Sequence, residues 1–172
     1  MTMEPLKTYD YLTLARQRIF ERVRPLDAEQ YAHEFPIGHE TLGRTLTHIM
    51  ISEWYYVQRI RGRDVPPYKQ WPIQEENPPP FAAIEAAWIE QADHTRAALS
   101  AVRDWSVDLK YRVTGDDDRP EIVAASAADI FTQLVLHEVH HRAQAMNMLR
   151  HLGVAVEDLD FNTFFKRGAA SP

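Results

Sequence analysis

Hydrophobic residues recur with the 3.6-residue period of an α-helix in four long segments of the chain. This pattern predicts helices over residues 10–23, 40–61, 81–102 and 126–151. Pro25 is expected to end the first helix, and Gly62 and Gly153 are expected to follow the second and fourth. The fourth helix has the clearest beginning, because Ser126 and Asp129 fit a capping box. Four long helices predict an all-α fold, with a four-helix bundle as its architecture.

The hydrophobic period changes to two between the third and fourth helices. The alternation there predicts a β-strand, carried by Val107, Leu109, Tyr111 and Val113. A turn at 114–119 and a short returning strand at 121–124 would complete a β-hairpin within 107–124. The bundle is therefore expected to carry one small hairpin between its third and fourth helices.

The length of 172 residues suits a single domain. We expect one helix-bundle domain over 1–172, with a short C-terminal tail from about residue 154 packed on it. The connection at 63–80 contains six prolines. Connections of that length in a compact domain are usually functional or packed against the body.

Composition and charge exclude several classes of function. The chain has 19 basic and 25 acidic residues, a net charge of −6, which argues against nucleic-acid binding. No apolar run approaches the ~20 residues that cross a bilayer, so we expect a cytoplasmic protein without membrane contact. There is no cysteine, which excludes disulfides, thiolate metal sites and a cysteine nucleophile. A metal ion would need histidine or carboxylate ligands.

Two histidines lie within the apolar stripe of the fourth helix. His137 and His141 are four residues apart, so their rings share one helix face about one turn apart. Each ring could instead hydrogen-bond a carboxylate or carbonyl across the bundle, which is the usual role of a single buried histidine. Two neighbouring neutral imidazoles on one buried face favour a divalent metal ion over that alternative.

A third ligand is expected from a facing helix, and His48 is the best candidate. It lies in the middle of the second predicted helix, at the edge of the apolar stripe, and bundles build their metal sites from facing helices. The remaining histidines are expected at the surface or around the site rather than on the ion; these are His33, His39, His94, His140 and His151.

Two glutamates are weak candidates for catalysis. Glu53 follows His48 by five residues, so the two side chains point about 140° apart and cannot easily share one ion. Glu53 either orients a ligand histidine or is a buried carboxylate paired with an arginine. Glu138 lies in an H-E-x-x-H sequence, where it would be the general base of a zinc protease. The protease interpretation is disfavoured, because Gln144 stands where the longer motif has glycine and no third histidine follows.

Three consecutive aromatic residues surround the second helix on more faces than one core can use: Trp54, Tyr55 and Tyr56. At least one is expected to be covered by something other than the chain's own core. A second copy is the simplest cover, so we expect a homodimer.

The chain resembles the DinB-like family of metal-binding four-helix bundles, which includes the YfiT-type putative hydrolases. The resemblance rests on LTHIMISEWYYVQRIRG (46–62), LHEVHHRAQAMNMLRHLG (136–153) and DLDF (158–161). The last helix repeats the family's H-x-x-x-H-R-G-Q pattern, with Ala143 in place of the usual glycine. The resemblance implies a bundle with long crossover connections, commonly a homodimer. It also implies one divalent metal ion held by His48, His137 and His141. Histidine-only donors with open positions suit zinc, nickel, iron or manganese, and we expect zinc or nickel.

Some members of that family are transferases or isomerases that use a low-molecular-weight thiol such as mycothiol or bacillithiol. The resemblance therefore implies a metal-dependent S-transferase or isomerase acting on a small-molecule substrate. Two alternatives stay open: a hydrolase with a metal-activated water, and a non-catalytic metal- or ligand-binding protein. Arg142, Arg59 and Arg63 are candidates for holding the carboxylates of a thiol cosubstrate.

Overall fold

Long helices dominate the fold. The computed structural model describes residues 4–114 and 119–165. In chain order the elements are α1 (Pro5–Val23), α2 (Ala28–Ala32), α3 (Leu42–Ile60), α4 (Phe81–Ala101), β1 (Asp108–Thr114), β2 (Pro120–Ser126), α5 (Ala127–His151) and α6 (Phe161–Phe164). The predicted fold class, a four-helix bundle with a small hairpin, is confirmed.

The four long helices form a closed ring of contacts. Helix α3 packs on both α4 and α5, and α1 packs on the same two helices. Helices α1 and α3 therefore lie at opposite corners of the bundle, as do α4 and α5. The chain crosses the bundle twice, once through α2 and once through the hairpin, which gives the long crossover connections that the family resemblance implies.

The helix ends follow their capping residues. Ser126 and Asp129 form the predicted capping box of α5, and the Thr41 side chain accepts from the Arg44 backbone N–H to cap α3. Helix α1 begins at Pro5, earlier than predicted, because proline is tolerated in a first turn where its missing N–H has no partner. Gly153 ends α5 with a φ of +78°.

The hairpin is antiparallel, with Tyr111 opposite Val123 and Asp108 opposite Ser126. It begins and ends within two residues of the predicted bounds. Most of the predicted turn, residues 115–118, lies outside the described part of the chain. None of the helices that the structure describes has the length and apolar character needed to cross a bilayer.

The proline-rich connection between α3 and α4 folds back on α3. The Trp71 ring lies 5.1 Å from the Trp54 ring and 5.7 Å from the Tyr55 ring, between centroids. The Tyr56 ring packs on His137, 5.8 Å away. Residues of the same chain therefore pack on all three of the consecutive aromatic residues. A second copy of the chain is no longer needed to explain how these side chains are covered. The homodimer stays a prediction.

Candidate metal centre

Four histidine rings from three parts of the fold meet at one place. Helix α3 supplies His48, α5 supplies His137 and His141, and the connection before α3 supplies His39. The ring centroid of His48 lies 4.8 Å from that of His137 and 4.6 Å from that of His141. The His39 ring stacks on His48 at 3.8 Å, with 28° between the planes. All four rings are partly buried.

The nitrogens of these rings are close enough together to hold a metal ion. One nitrogen from each of His39, His48 and His141 lies within 4.8 Å of the others. The Nε2 atoms of His48 and His137 are 2.9 Å apart. Nitrogens at that separation can both reach one ion at the ~2.0–2.1 Å length of a zinc–nitrogen bond. His39, His48 and His141 therefore form a donor set that fits a divalent metal ion. The predicted ligand His137 is close to His48, but it does not belong to that set.

Two hydrogen bonds fix how the rings face this centre. His48 Nδ1 is hydrogen-bonded to Glu75 Oε2, and this bond lowers the pKa of the Glu75 carboxyl. Because an ionised carboxylate only accepts, the proton lies on Nδ1 and a neutral His48 presents its Nε2 lone pair. His141 Nδ1 likewise lies 2.8 Å from Gln144 Oε1, which accepts its proton. Both rings are oriented as metal-binding histidines usually are.

The lowered pKa values of His39, His137 and His141 keep these three rings in the neutral form, which is the form that binds metal. Burial, followed by the neighbouring imidazoles, lowers the pKa of His137 to about 3. Burial also lowers the pKa of His141 to about 4, against the opposing effect of its bond to Gln144. The pKa of His39 is lowered by burial and then by His48. These three rings are therefore neutral near pH 7, as ligation requires.

A tight turn before α3 brings His39 to the centre. The Phe35 N–H donates to the Glu40 carbonyl at 2.7 Å, which closes the turn. Gly38 and Glu40 both have positive φ, at +49° and +67°. Glycine adopts this conformation without steric cost, whereas it is uncommon for glutamate. The turn therefore stores backbone strain beside the histidines.

Comparison with known families finds a match over almost the whole chain. The model of the DinB family matches residues 1–168 of the chain.

The chain belongs to the DinB family.

Two relatives illustrate how far the members of the DinB family diverge in sequence. The Protein DinB of Bacillus subtilis (strain 168) is 22% identical over 162 residues, which cover 92% of this chain and 91% of the relative. The crystal structure of a DinB-like protein from Bacillus cereus ATCC 10987 superposes with a TM-score of 0.62 at 20% identity. It covers 90% of this chain and 94% of the other. The fold is thus retained at low sequence identity.

Glu53 lies in the interior of the bundle, where it accepts four hydrogen bonds. The donors are Tyr9 Oη at 2.5 Å, Arg16 Nη2 at 2.6 Å, Thr95 Oγ1 at 2.6 Å and Trp88 Nε1 at 2.8 Å. No described histidine bonds to it. Of the two roles that the sequence left open, the structure shows the carboxylate paired with an arginine.

Glu138 belongs to the same interior network. Arg16 Nη2, which bonds Glu53, also donates to Glu138 Oε2 at 2.7 Å. Burial raises the pKa of the Glu138 carboxyl, and Arg16 acts in the opposite direction. Among the described residues Glu138 makes no bond to a histidine. The structure therefore places neither glutamate where it could act as a base at the histidines.

Arg142, the weak cosubstrate candidate, is also engaged internally. It is buried, and its Nη2 donates to Tyr11 Oη at 2.5 Å. Tyr11 Oη in turn donates to the Leu159 carbonyl at 2.8 Å. The Tyr11 ring also packs on Phe161, 5.2 Å away. Arg142 thus links α5 to the C-terminal tail rather than facing the histidines.

The sequence did not identify His39 or Glu75 as parts of the centre. Both lie in connections, outside the helical periodicity that singled out the other histidines. Gly38 before His39 is a local sign of a turn, but nothing in the sequence tells where that turn packs. For Glu75, no sequence signal indicates that the connection folds back to His48.

Replacing Gly38 by alanine should weaken metal binding through Gln144. A Cβ at Gly38 would lie 2.2 Å from Gln144 Oε1, so the Gln144 side chain must move and release His141 Nδ1. Loss of such an orienting partner usually costs ~10–100-fold in metal affinity. We expect a loss at the lower end of that range for Gly38→Ala, measured by metal titration.

Gly62→Ala is the matched control for this effect. Gly62 has a φ of +65°, but a Cβ there would meet nothing within 4 Å. Both variants should lose about 1–2 kcal/mol of stability through backbone strain. Equal metal affinities of the two variants would show that Gln144 does not orient His141.

Proposed function

We propose that this protein is a metal-dependent enzyme in which His48, His137 and His141 hold one divalent ion. The observation that carries the proposal is the convergence of the imidazole rings, with His48 Nδ1 bonded to Glu75 and His141 Nδ1 bonded to Gln144. In metal sites of this kind, a ligand histidine usually donates its other ring N–H to an oxygen acceptor, which fixes the orientation of the ring. Three protein ligands would leave coordination positions open for a small molecule.

His137 is proposed as the third ligand in preference to His39. The lone pair of an imidazole nitrogen lies in the plane of its ring. His39 is stacked on His48 with nearly parallel planes, so their lone pairs lie in two neighbouring planes and do not point at one ion. His137 approaches His48 nitrogen to nitrogen and lies on the rigid helix α5. His39 would then pack on His48 and help Glu75 to fix its orientation, since His39 Nδ1 is 3.8 Å from Glu75 Oε1.

The proposed reaction is the transfer of a low-molecular-weight thiol to an electrophilic small molecule, or a thiol-dependent isomerisation. A divalent ion bound here would lower the pKa of a thiol that ligates it and so supply a thiolate near neutral pH. The chain has no cysteine, so the thiol must be a cosubstrate. The resemblance of the sequence to thiol-using relatives supports this choice over hydrolysis.

Cobalt-substituted protein tests the proposal. We expect a sulfur-to-cobalt charge-transfer band when mycothiol, bacillithiol, glutathione or coenzyme A is added, with release of one proton, because a divalent cation favours the thiolate. The S-methylated form of the effective thiol should give no band. The same thiol should show saturable turnover with an electrophile when the protein carries its native metal.

Two results would contradict the thiol proposal. The first is an unchanged cobalt spectrum with all four thiols. The second is metal-dependent hydrolysis of an ester such as p-nitrophenyl acetate with no requirement for thiol, which would favour a metal-activated water. Tight metal binding without turnover in either assay would identify a non-catalytic binding protein.

A further inference from the structure

A cavity of about 780 Å³ lies between α3, the proline-rich connection and the hairpin. We call it the Arg59 cavity, after the residue that lines it together with Tyr55, Tyr68, Trp71 and Tyr111. Its volume is within the ~300–1,000 Å³ range of small-molecule sites. It is therefore large enough for an organic ligand of moderate size.

The guanidinium of Arg59 is buried, and the part of the chain that the structure describes gives it no counter-charge. The side chain is 4% exposed, and no carboxylate in residues 4–114 and 119–165 forms an ion pair with it. Its one hydrogen bond among the described residues runs from Nη2 to the Arg112 carbonyl at 2.8 Å, and its buried Nε has no acceptor. Buried charges are normally paired, because losing water costs several kcal/mol.

Two aromatic rings hold this cation in place. The Tyr55 ring centroid lies 4.8 Å and the Tyr111 ring centroid 4.7 Å from Arg59 Cζ. Cation–π contacts of this kind stabilise a guanidinium while leaving its N–H edge free for an acceptor. Arg59 has five N–H donors, and a carboxylate or phosphate binds two of them at once.

We infer that the Arg59 cavity binds a small organic anion, whose carboxylate or phosphate pairs with Arg59 and whose apolar body packs on the aromatic wall. The residues that line the cavity carry a net positive charge, which favours an anionic ligand. Arg59, Lys110 and Arg112 are basic, and Asp64 is acidic. Trp71 and Tyr68 supply apolar surface for the rest of the ligand.

The cavity is linked to the candidate metal centre through the side chains that lie between them. Tyr55 packs on Tyr56, and Tyr56 packs on His137. The Tyr68 hydroxyl accepts from the Glu75 backbone N–H at 2.9 Å, next to the carboxylate that bonds His48. A bound anion would therefore be separated from His137 by Tyr55 and Tyr56, and its recognition by Arg59 does not require the metal.

Binding is tested on the full-length, metal-free protein, so that failure here is distinct from failure of the metal site. The probes are benzoate, phenyl phosphate and the neutral isostere benzamide, at constant ionic strength. The readout is the indole N–H signal of Trp71 by NMR, with Trp105, which packs on Phe131, as internal reference. We expect benzoate or phenyl phosphate to shift the Trp71 signal at millimolar concentrations, and benzamide to bind at least ten-fold more weakly.

Comparison of the two anions identifies the ligand class. Tighter binding of phenyl phosphate would indicate phosphorylated ligands, and tighter binding of benzoate would indicate carboxylates. Arg59→Met should lose at least ten-fold in affinity for the better anion, while Arg61→Met, at an exposed position two residues along, should bind as the unmodified protein does.

Three results would overturn the inference: an unmoved Trp71 signal with both anions, equal binding of benzamide, or full affinity in Arg59→Met. If Arg59→Met fails to fold, Arg59→Lys takes its place, because it keeps the charge but loses bidentate geometry. The comparison of benzoate with benzamide needs no variant and tests the preference for an anion by itself.

Discussion

We expect the protein to bind one divalent metal ion per chain, and His48→Ala or His141→Ala to abolish stoichiometric binding. Each change removes a direct ligand, so the affinity should fall by more than the ~100-fold that loss of an orienting partner can cost. At a metal concentration of about 1,000 times Kd, binding stabilises the fold by about 4 kcal/mol. That corresponds to a Tm increase of roughly 8–16 °C for a chain of this size. Elemental analysis and thermal melts measure both quantities.

His94→Ala is the control, because His94 is exposed on α4 away from the cluster. The His94→Ala variant should still bind one metal ion and should still show the increase in Tm when the metal is bound. His137→Ala and His39→Ala decide the third ligand: we expect the larger loss from His137→Ala. Unchanged metal content in His48→Ala would refute the site, and a larger loss from His39→Ala would place His39 on the ion in place of His137.

Arg16→Ala should be among the most destabilising single substitutions in the protein. It leaves the buried carboxylates of Glu53 and Glu138 without the guanidinium that now lies 2.6 and 2.7 Å from them. It also removes the stacking of Arg16 on Trp88, where Cζ lies 4.2 Å from the ring centroid. Breaking a buried ion pair by removing one partner costs about 3–5 kcal/mol, measured by denaturant unfolding.

Arg18→Ala on the same helix is the matched control. The Arg18 side chain is 49% exposed and its bond to Glu21 is 3.3 Å long, so its loss should cost less than about 1 kcal/mol. Adding Glu138→Gln to Arg16→Ala should restore part of the stability, because one of the two uncompensated carboxylates is gone. No recovery in the double variant would mean that lost packing, rather than charge, accounts for the effect.

The interior network explains why helical position alone could not assign the roles of the glutamates. Glu138 is adjacent in sequence to His137 and matches a protease motif, yet it points to Arg16, 122 residues away. One residue along an α-helix turns the side chain by about 100°, so neighbours in sequence face different partners. Which partner lies there is decided by the packing of α1 against α3 and α5.

The helices and their inward faces could be predicted from the sequence, because apolar periodicity and capping are local properties. The same periodicity placed His137 and His141 on one face of α5 and singled out His48 on α3. The positions of His39 and Glu75 could not be predicted, since both lie in connections whose path depends on contacts with distant helices. The pairing of Arg16 with Glu53 and Glu138, and the buried Arg59 between two tyrosines, likewise arise from elements far apart in the chain. The energies of these buried charges depend on partners that no local pattern specifies.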